Sequence, residues 1–378
     1  MKVLHLVQQP QRRGAEMFAF DLTSELLLRG FDVRTVYLYP AKDNALDLRE
    51  NDILINADPT HPLERALGFQ PKVLNRLRCI VRDFKPDVVQ ANGARTLKYG
   101  AALKRVSAKS SDFAFVYRSI GDPLVWVQGR VKRTLYAKLI MPPVDGIAAV
   151  SSASLDGLKQ LYDLADKTVA QIPRGIDRQR IAPRRDRATV RAALGDSEST
   201  PVVVFVGSLT PEKRPDRLAR VFAGVVKQLP EARLWVVGDG PLRAEFEQLV
   251  DDLGITGSVS LIGTSDEVGS FLGAADVLAL TSDTEGLPGV ILEAACLGVP
   301  AVATDVGGVS DAVTTGKTGI LVDPDDEAAF TTQLSQLLAD RTTSVGLGST
   351  ASARFRTTFA ITPVGEAYAQ LYEAAVQA

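Results

Sequence analysis

A chain of 378 residues, 46% hydrophobic and 23% charged, has the composition of a globular protein and is too long for one ordinary core, which predicts two domains of about 150 to 200 residues each. No run approaches the ~18 apolar residues of a membrane-spanning helix, and Met1–Val7 leads into polar Gln8 and Gln9 rather than forming a signal peptide, so the expected location is the cytoplasm. The net charge of −2 conceals an asymmetry: residues 1–173 carry 25 Lys and Arg against 18 Asp and Glu, and residues 174–378 carry 18 against 27. A basic N-terminal half suits an anionic lipid surface or a phosphorylated acceptor, or is simply solvated; nucleic acid is not among the expected partners. Cys79 and Cys296 stand far apart in apolar helical contexts, as buried free thiols do.

The chain opens with a strand, Val3–Val7, a loop over Gln8–Arg13, and a helix from Gly14 that carries Phe18, Leu22, Leu26 and Leu27 on one face. Val33–Leu38 is the next strand, completing a βαβ start. Gly14 occupies the loop-to-helix junction where a doubly wound fold touches an anion, yet the segment lacks the G-x-G-x-x-G spacing of a hydride-transfer cofactor site. Further strands are predicted at Asp52–Asn56, Val88–Ala91, Ala114–Arg118 and Gly146–Val150, alternating with helices, which implies a parallel sheet covered on both faces. Between them, Asp122–Ile140 reads as a basic amphipathic helix, with Arg130, Lys132, Arg133 and Lys138 alternating with Val131, Leu135, Tyr136 and Leu139. It fits either a solvated surface helix or a peripheral contact with anionic membrane on its inner face.

Ile172–Asp177 breaks the pattern, and residues 174–200, charged and rich in Pro and Arg, are read as a linker. A second βα series follows at Val202–Val206, Arg233–Val237, Val259–Ile262, Val277–Thr281, Ala301–Ala303 and Gly319–Val322. The domains predicted are thus residues 1–173 and 201–360, with a final helix over 361–378 that packs back on the first domain. In Asp323-Pro324-Asp325-Asp326 the acids suit a helix start rather than a metal.

Three strand-to-loop junctions of the second domain carry chemistry. Gly207 to Arg214 places Ser208 and then two adjacent cations, Lys213 and Arg214, ahead of a helix, a loop suited to a diphosphate or to plain solvation. Gly238-Asp239-Gly240-Pro241 is a partial dinucleotide fingerprint. The third, S-D-T-E-G-L-P-G-V-I-L-E over Ser282–Glu293, puts Glu285 at the mouth of a short apolar helix and Glu293 about one turn inside it. A carboxylate in apolar surroundings requires donors, which sugar hydroxyls, an arginine or backbone amides supply, and the helix start suits a phosphate.

These segments, with R-G-A-E at 13–16, V-S at 150–151, I-P-R-G-I-D at 172–177 and G-I-L-V-D-P-D-D at 319–326, closely resemble the retaining, metal-independent glycosyltransferases of family 4, and the E-x7-E stretch is the most specific of them. The resemblance implies a GT-B architecture: α/β, with two tandem Rossmann-like domains facing a cleft. It implies a nucleoside-diphosphate-sugar donor, no cofactor or metal, and a hydroxyl acceptor that is a glycan, a lipid-linked or a small molecule. By the same likeness Glu293 binds the ribose, Glu285 the donor sugar, the backbone of the Gly286–Gly289 stretch the sugar and phosphate, through the N–H groups of Gly286, Leu287 and Gly289 with Pro288, which has none, shaping the turn, and Lys213 the diphosphate, with Gly14 reaching the phosphates and Gly238 and Ser208 lining the donor loops. Many relatives carry Arg at the place of Ser208, so Lys213 with Arg214 takes up the phosphate charge here. Many also carry His where this chain has Val88–Gly93 and Tyr117–Asp122; with only His5 and His61 available, Asn92, Arg118 and Asp122 are the acceptor-side candidates. A sugar-nucleotide epimerase or a non-catalytic carbohydrate or nucleotide binder are the alternatives.

Overall fold

A computed structural model describes residues 1–12, 14–41, 45–107 and 112–377; Arg13 of the R-G-A-E stretch and Ala378 of the predicted final helix lie outside the described residues. The chain forms two compact units, one of residues 1–175 with 361–378 and one of residues 176–360. Each is built on an all-parallel sheet. The first has strands β1 (Lys2–Val7), β2 (Asp32–Tyr37), β3 (Ile53–Leu54), β4 (Val88–Asn92), β5 (Ala114–Ser119), β6 (Gly146–Ala149) and β7 (Thr168–Gln171) in the order β3-β2-β1-β4-β5-β6-β7. The second has β8 (Val202–Val206), β9 (Arg233–Val237), β10 (Val259–Gly263), β11 (Val277–Leu280), β12 (Ala301–Thr304) and β13 (Gly319–Val322) in the order β10-β9-β8-β11-β12-β13. Both are doubly wound, and in both the strand order reverses beside the first strand, which is where such sheets bind ligands beyond their carboxyl ends.

The inner strands of each sheet are buried on both faces, as parallel strands require, while the edge strands β3, β7, β10 and β13 are only partly buried. In the first unit Phe115 and Tyr117 point into a cluster with Leu4, Leu6, Val89 and Ile147, while Ala114 and Val116 point into a second cluster with Phe18, Leu22 and Tyr368. The second cluster is roofed by the helix Ile361–Gln377, whose Val364, Tyr368, Leu371, Tyr372 and Ala375 are buried at the spacing of a single helical stripe. The predicted return of the C-terminal helix to the first domain is therefore what the fold shows.

The 174–200 stretch is not a linker. From Ile176 onward it belongs to the second unit, and its arginines are clamps. Asp186 caps the helix Arg187–Ala193 by accepting from the Thr189 amide at 2.7 Å. Arg191, fully buried, donates to the Ala274 carbonyl at 2.9 Å and to Asp276 at 2.8 Å; Arg187 reaches the other oxygen of Asp276 at 2.5 Å. Arg185 pairs with Glu267 at 2.7 Å and Arg184 with Asp266 at 2.8 Å. A Pro- and Arg-rich composition resembles a solvated linker, but carboxylates arriving from ~80 residues downstream turn it into a strap, because a buried guanidinium is tolerated where each donor finds an acceptor.

The basic segment also departs from one continuous helix. It is a turn of helix at Pro123–Trp126, a break at Gly129 (φ +81°), a helix at Arg130–Leu135 and a π-turn at Tyr136–Ile140. Asp326 caps the helix Glu327–Ala339 through the Ala329 amide at 2.8 Å, as its sequence position indicated.

Candidate functional site

In the second unit the loops after β8 and β11, the two strands flanking the reversal, meet. Lys213 ends a 3-10 turn, Pro211–Lys213, and its Nζ donates to Glu285 Oε1 at 2.5 Å. The same oxygen accepts from Ser282 Oγ at 2.7 Å. Glu285 is thus no solvated loop residue: its side chain is 10% exposed against 24% for Lys213. Two residues 72 apart in sequence are joined because strand order places their loops side by side at the carboxyl edge. The loops are stitched further by Thr281 Oγ1 donating to the Lys213 carbonyl at 3.0 Å, by the Asp283 amide donating to the Glu212 carbonyl at 2.9 Å, and by buried Arg217 donating to the Thr281 carbonyl at 2.7 Å.

The loop after β12 completes the frame. Thr304 Oγ1 donates to the Ser282 carbonyl at 2.6 Å and the Gly308 amide to the Glu285 carbonyl at 3.2 Å. Gly307 has φ +55°, and a Cβ there would fall inside contact distance of the Glu285 carbonyl oxygen; only glycine fits. Past Glu285, Gly286 and Gly289 remain partly accessible while Leu287 and Pro288 are buried. The helix Gly289–Cys296 begins there, four residues after Glu285, with no side chain capping its N-terminus among the described residues, so its first-turn amides carry the positive end of the helix dipole.

Glu293 lies in that helix with its side chain 13% exposed and Arg180 Nη2 at 3.8 Å. Sequence reasoning missed Arg180 because it sits in the supposed linker, and missed Ser282 although it stands three residues before Glu285. Arg214 is a correction to the phosphate role: its guanidinium makes paired bonds of 2.9 Å to both oxygens of Asp216 and a third, of 3.2 Å, to Asp283. Those bonds raise its pKa and hold Asp216 well below the usual carboxylate range. With its donors held by two carboxylates, Arg214 fixes the loop rather than offering charge. Gly238 (φ +142°) has no room for a side chain against the Gly207 carbonyl, so its glycine serves the crossing of two loops, whereas Ser208 is exposed at the surface of the first.

In the first unit the acceptor-side candidates are placed otherwise than the sequence suggested. Arg118 is 1% exposed and stacks over the Phe18 ring at 4.0 Å; burial lowers its pKa, opposed by Tyr368. Asn92, 7% exposed, accepts from Gln90 at 3.0 Å and donates to the Leu6 carbonyl at 3.4 Å. Asp122 caps the Pro123 turn by accepting from the Leu124 amide at 2.8 Å. Asn92 and Asp122 are engaged in holding the fold, whereas Arg118 is buried with its Nε and Nη1 bonded to no acceptor. Behind them runs a buried chain in which Tyr372 donates to Gln90 at 2.6 Å and meets His5 Nε2 at 3.2 Å, and His5 Nδ1 meets Thr23 at 2.9 Å. Gly14 begins the helix Gly14–Leu28, and a Cβ there would lie 2.9 Å from Arg174 Nη1, which brings a guanidinium to the helix start.

Comparison with known proteins agrees with this architecture. Residues 12–180 match the family described as glycosyltransferase family 4, and residues 186–354 match glycosyl transferases group 1. A GDP-mannose-dependent alpha-(1-6)-phosphatidylinositol monomannoside mannosyltransferase of Mycolicibacterium smegmatis is 30% identical over 300 residues, 76% of each chain. A D-inositol 3-phosphate glycosyltransferase of Nocardia farcinica is 34% identical over 221 residues, 56% of this chain and 49% of that protein, about half its length. Among solved structures, Anabaena HepE in complex with UDP and glucose superposes with a TM-score of 0.81 at 20% identity over 98% of both chains. Sucrose-phosphate synthase of Thermosynechococcus elongatus gives 0.82 at 20% identity, over 99% of this chain and 98% of that one.

Proposed function

The chain belongs to glycosyltransferase family 4, and from that premise we propose that it transfers a sugar to a hydroxyl acceptor with retention of anomeric configuration and without a metal ion. Membership makes it a nucleotide-sugar glycosyltransferase of GT-B fold. The observation that carries the residue-level reading is the Lys213–Glu285–Ser282 group, held at the reversal of the second sheet beside an uncapped helix N-terminus.

Departure of a nucleoside diphosphate leaves negative charge on the β-phosphate while the sugar carbon becomes oxocarbenium-like, so stabilisation must be aimed at the leaving group. Lys213 and the amides of the Gly289 turn supply it. A diphosphate accepting from Lys213 releases Glu285 from that ion pair, and the freed carboxylate accepts from a donor-sugar hydroxyl while Ser282 keeps it oriented. Glu293 then binds the ribose hydroxyls in competition with Arg180. In the retaining step, the bond from the sugar carbon to the phosphate oxygen breaks with its electron pair on phosphate. The acceptor oxygen bonds to that carbon on the same face, and its proton passes to the departing phosphate oxygen, so no protein nucleophile is needed.

The name of the mannosyltransferase relative makes GDP-mannose the first donor to test, and the names of both relatives make inositol-bearing phosphorylated molecules, lipid-linked or soluble, the first acceptors among glycan, lipid-linked and small-molecule classes. The test is thermal unfolding with UDP, GDP, ADP and TDP and their sugar conjugates, followed by transfer assays. A donor at about 100 times its Kd adds ~2.7 kcal/mol and raises the melting point by several degrees. Glu293→Ala should abolish that rise, and Glu285→Ala should abolish transfer while the fold persists; full transfer by both variants would overturn the assignment.

A further inference from the structure

The second unit carries a cavity of about 530 Å³ that takes no part in the chemistry proposed above. One wall is the strap, at Arg178 and Pro183. Another is the helix Arg341–Arg354 with the π-turn Phe355–Phe359 that continues it, at Val345, Ser349, Ser352 and Arg356. The floor is the end of the helix Gly289–Cys296, at Cys296 and the two residues after it. That helix begins at the Glu285 loop, and its eight residues rise about 12 Å, so the cavity and the candidate site lie at opposite ends of one element.

Local sequence fixes the walls. Val345, Ser349, Ser352 and Arg356 follow one another at four, three and four residues, a single stripe of a helix. The stripe is held close to the floor by glycine, since a Cβ on Gly348 would overlap the Gly298 carbonyl. The strap is pinned by the Arg184 and Arg185 amides, which both donate to Ser270 Oγ, at 2.9 and 3.1 Å. Charge then singles out the interior. The lining holds two arginines and no Asp or Glu, whereas the adjoining cleft that shares Leu297 and Val345 includes Glu198 and Asp276. Arg184, Arg185, Arg187 and Arg191 of the strap each pair with a carboxylate. Among the described residues Arg178 and Arg356 pair with none, and Arg356 donates only to Ser352 Oγ, at 3.4 Å. Asp177, beside Arg178, accepts instead from the Gln179 amide at 2.9 Å. Nor does the helix end draw on the arginines: its Ala294 and Ala295 carbonyls accept from the Val299 and Gly298 amides at 2.9 and 3.1 Å.

We infer that this cavity binds a small phosphorylated molecule, its phosphate held by Arg178 and Arg356 with the Ser349 hydroxyl, and its body resting on Pro183 and Val345. The volume is that of a small-molecule site, commonly about 300–1,000 Å³. A phosphate monoester brings a charge of about −1.5 to −2 and three acceptor oxygens, enough for two guanidinium forks and a hydroxyl, while a carboxylate has two oxygens and satisfies one fork. The inference goes beyond glycosyl transfer and uses no residue of the Lys213–Glu285 site, so its failure leaves the enzymatic reading untouched.

The experiment is calorimetric titration of the full chain, without donor, with ribose 5-phosphate, inorganic phosphate and ribose. Ribose 5-phosphate is expected to bind, inorganic phosphate to bind more weakly and ribose not at all. Arg178→Gln and Arg356→Gln should each weaken the ester by roughly 10- to 100-fold, the worth of a hydrogen bond to a charged group. Ser349→Phe, which fills the cavity from an exposed helix position, should abolish binding, and Lys213→Ala should leave it unchanged; circular dichroism melts confirm the fold of each variant. Binding that survives both arginine changes but is lost in Lys213→Ala belongs to the other site and overturns the inference. So does inorganic phosphate binding as tightly as the ester, or no binding by either at millimolar concentration.

Discussion

Gly307→Ala separates the role of the β12 loop from simple backbone strain. Gly307 and Gly316 both hold left-handed backbone, at φ +55° and +74°, so alanine costs about 1 kcal/mol at either by conformation alone. At Gly316 nothing lies within 4 Å of the added carbon, whereas at Gly307 it meets the backbone of Glu285. To admit it, the Glu285 carbonyl must retreat by about 1 Å, and if the frame has the catalytic role proposed for it, a displacement of that size costs on the order of 10²-fold in rate, or about 2.7 kcal/mol of barrier. The shift would be transmitted directly to the 2.5 Å and 2.7 Å contacts that Glu285 makes with Lys213 and Ser282. Gly316→Ala should therefore lower the melting point by about 2–4 °C and leave kcat/KM unchanged. Gly307→Ala should lose kcat/KM ~100-fold, measured as donor consumption by NMR alongside calorimetric donor binding. Equal activity in the two variants would refute the claim that this glycine sets the position of Glu285.

Three other outcomes follow from buried polar groups and the C-terminal helix. Arg191→Leu leaves Asp276 with one cation fewer and takes a donor from the four carbonyls of Ala274, Ser197, Glu198 and Thr200; the cost should be about 3–5 kcal/mol in urea unfolding, and a loss below about 1 kcal/mol would show the strap to be ornamental. Burial pulls the His5 imidazole down to about 3, so the unfolded chain binds a proton that the folded chain refuses. The stability this secures is present above the ordinary pKa of ~6.5 and is lost as pH falls toward 3, by roughly 2 kcal/mol between pH 7 and 5. His5→Gln should flatten that part of the stability profile, and an unchanged difference between the two pH values would exclude His5 as its source. Truncation after Ala360 removes Tyr368, Leu371 and Tyr372, each fully or nearly fully buried and worth about 1.5–3 kcal/mol, so the first unit should lose cooperative melting; a cooperative transition retained in that unit would contradict its roofing role.

The second domain was readable because its strands are short apolar runs punctuated by Gly and Pro, and the E-x7-E stretch named its own helix. Two of the first-domain candidates, Asn92 and Arg118, are buried for a reason the sequence also contains. Side chains alternate along a strand, so in β5 Arg118 shares a face with Ala114 and Val116, and in β4 Asn92 and Gln90 share a face with Val88. The structure shows that face covered by the Gly14–Leu28 and Ile361–Gln377 helices. The family resemblance, with histidine wanting in these segments, pointed to them as acceptor-side candidates, while period-two alternation, applied to Asn92 and Arg118, would have sent both to the buried side. What alternation does not provide is the acceptor for each polar atom: Tyr372 lies 282 residues from Gln90, and only the return of the last helix joins them.

The same logic explains why the Lys213–Glu285 pair was divided between two separate motifs. Each loop taken alone fits a solvated turn, and neither contains the other's partner. A parallel sheet that grows outward in both directions from β8 must put β11 beside β8 after β9 and β10 have been laid on the other side, so the first and fourth loops become neighbours. The pair thus uses the topology itself to satisfy a partly buried carboxylate with a cation. On the proposed reading that this cation meets the diphosphate, donor binding would be an exchange of anions at Lys213 rather than the filling of an unpaired charge. Replacing Glu285 by Gln should therefore tighten the binding of the nucleoside diphosphate alone, by removing its competitor, while weakening transfer, which needs the carboxylate on the sugar. Calorimetric titration with the diphosphate decides the point, and weaker binding by Glu285→Gln would mean that Glu285 orients Lys213 instead of competing for it.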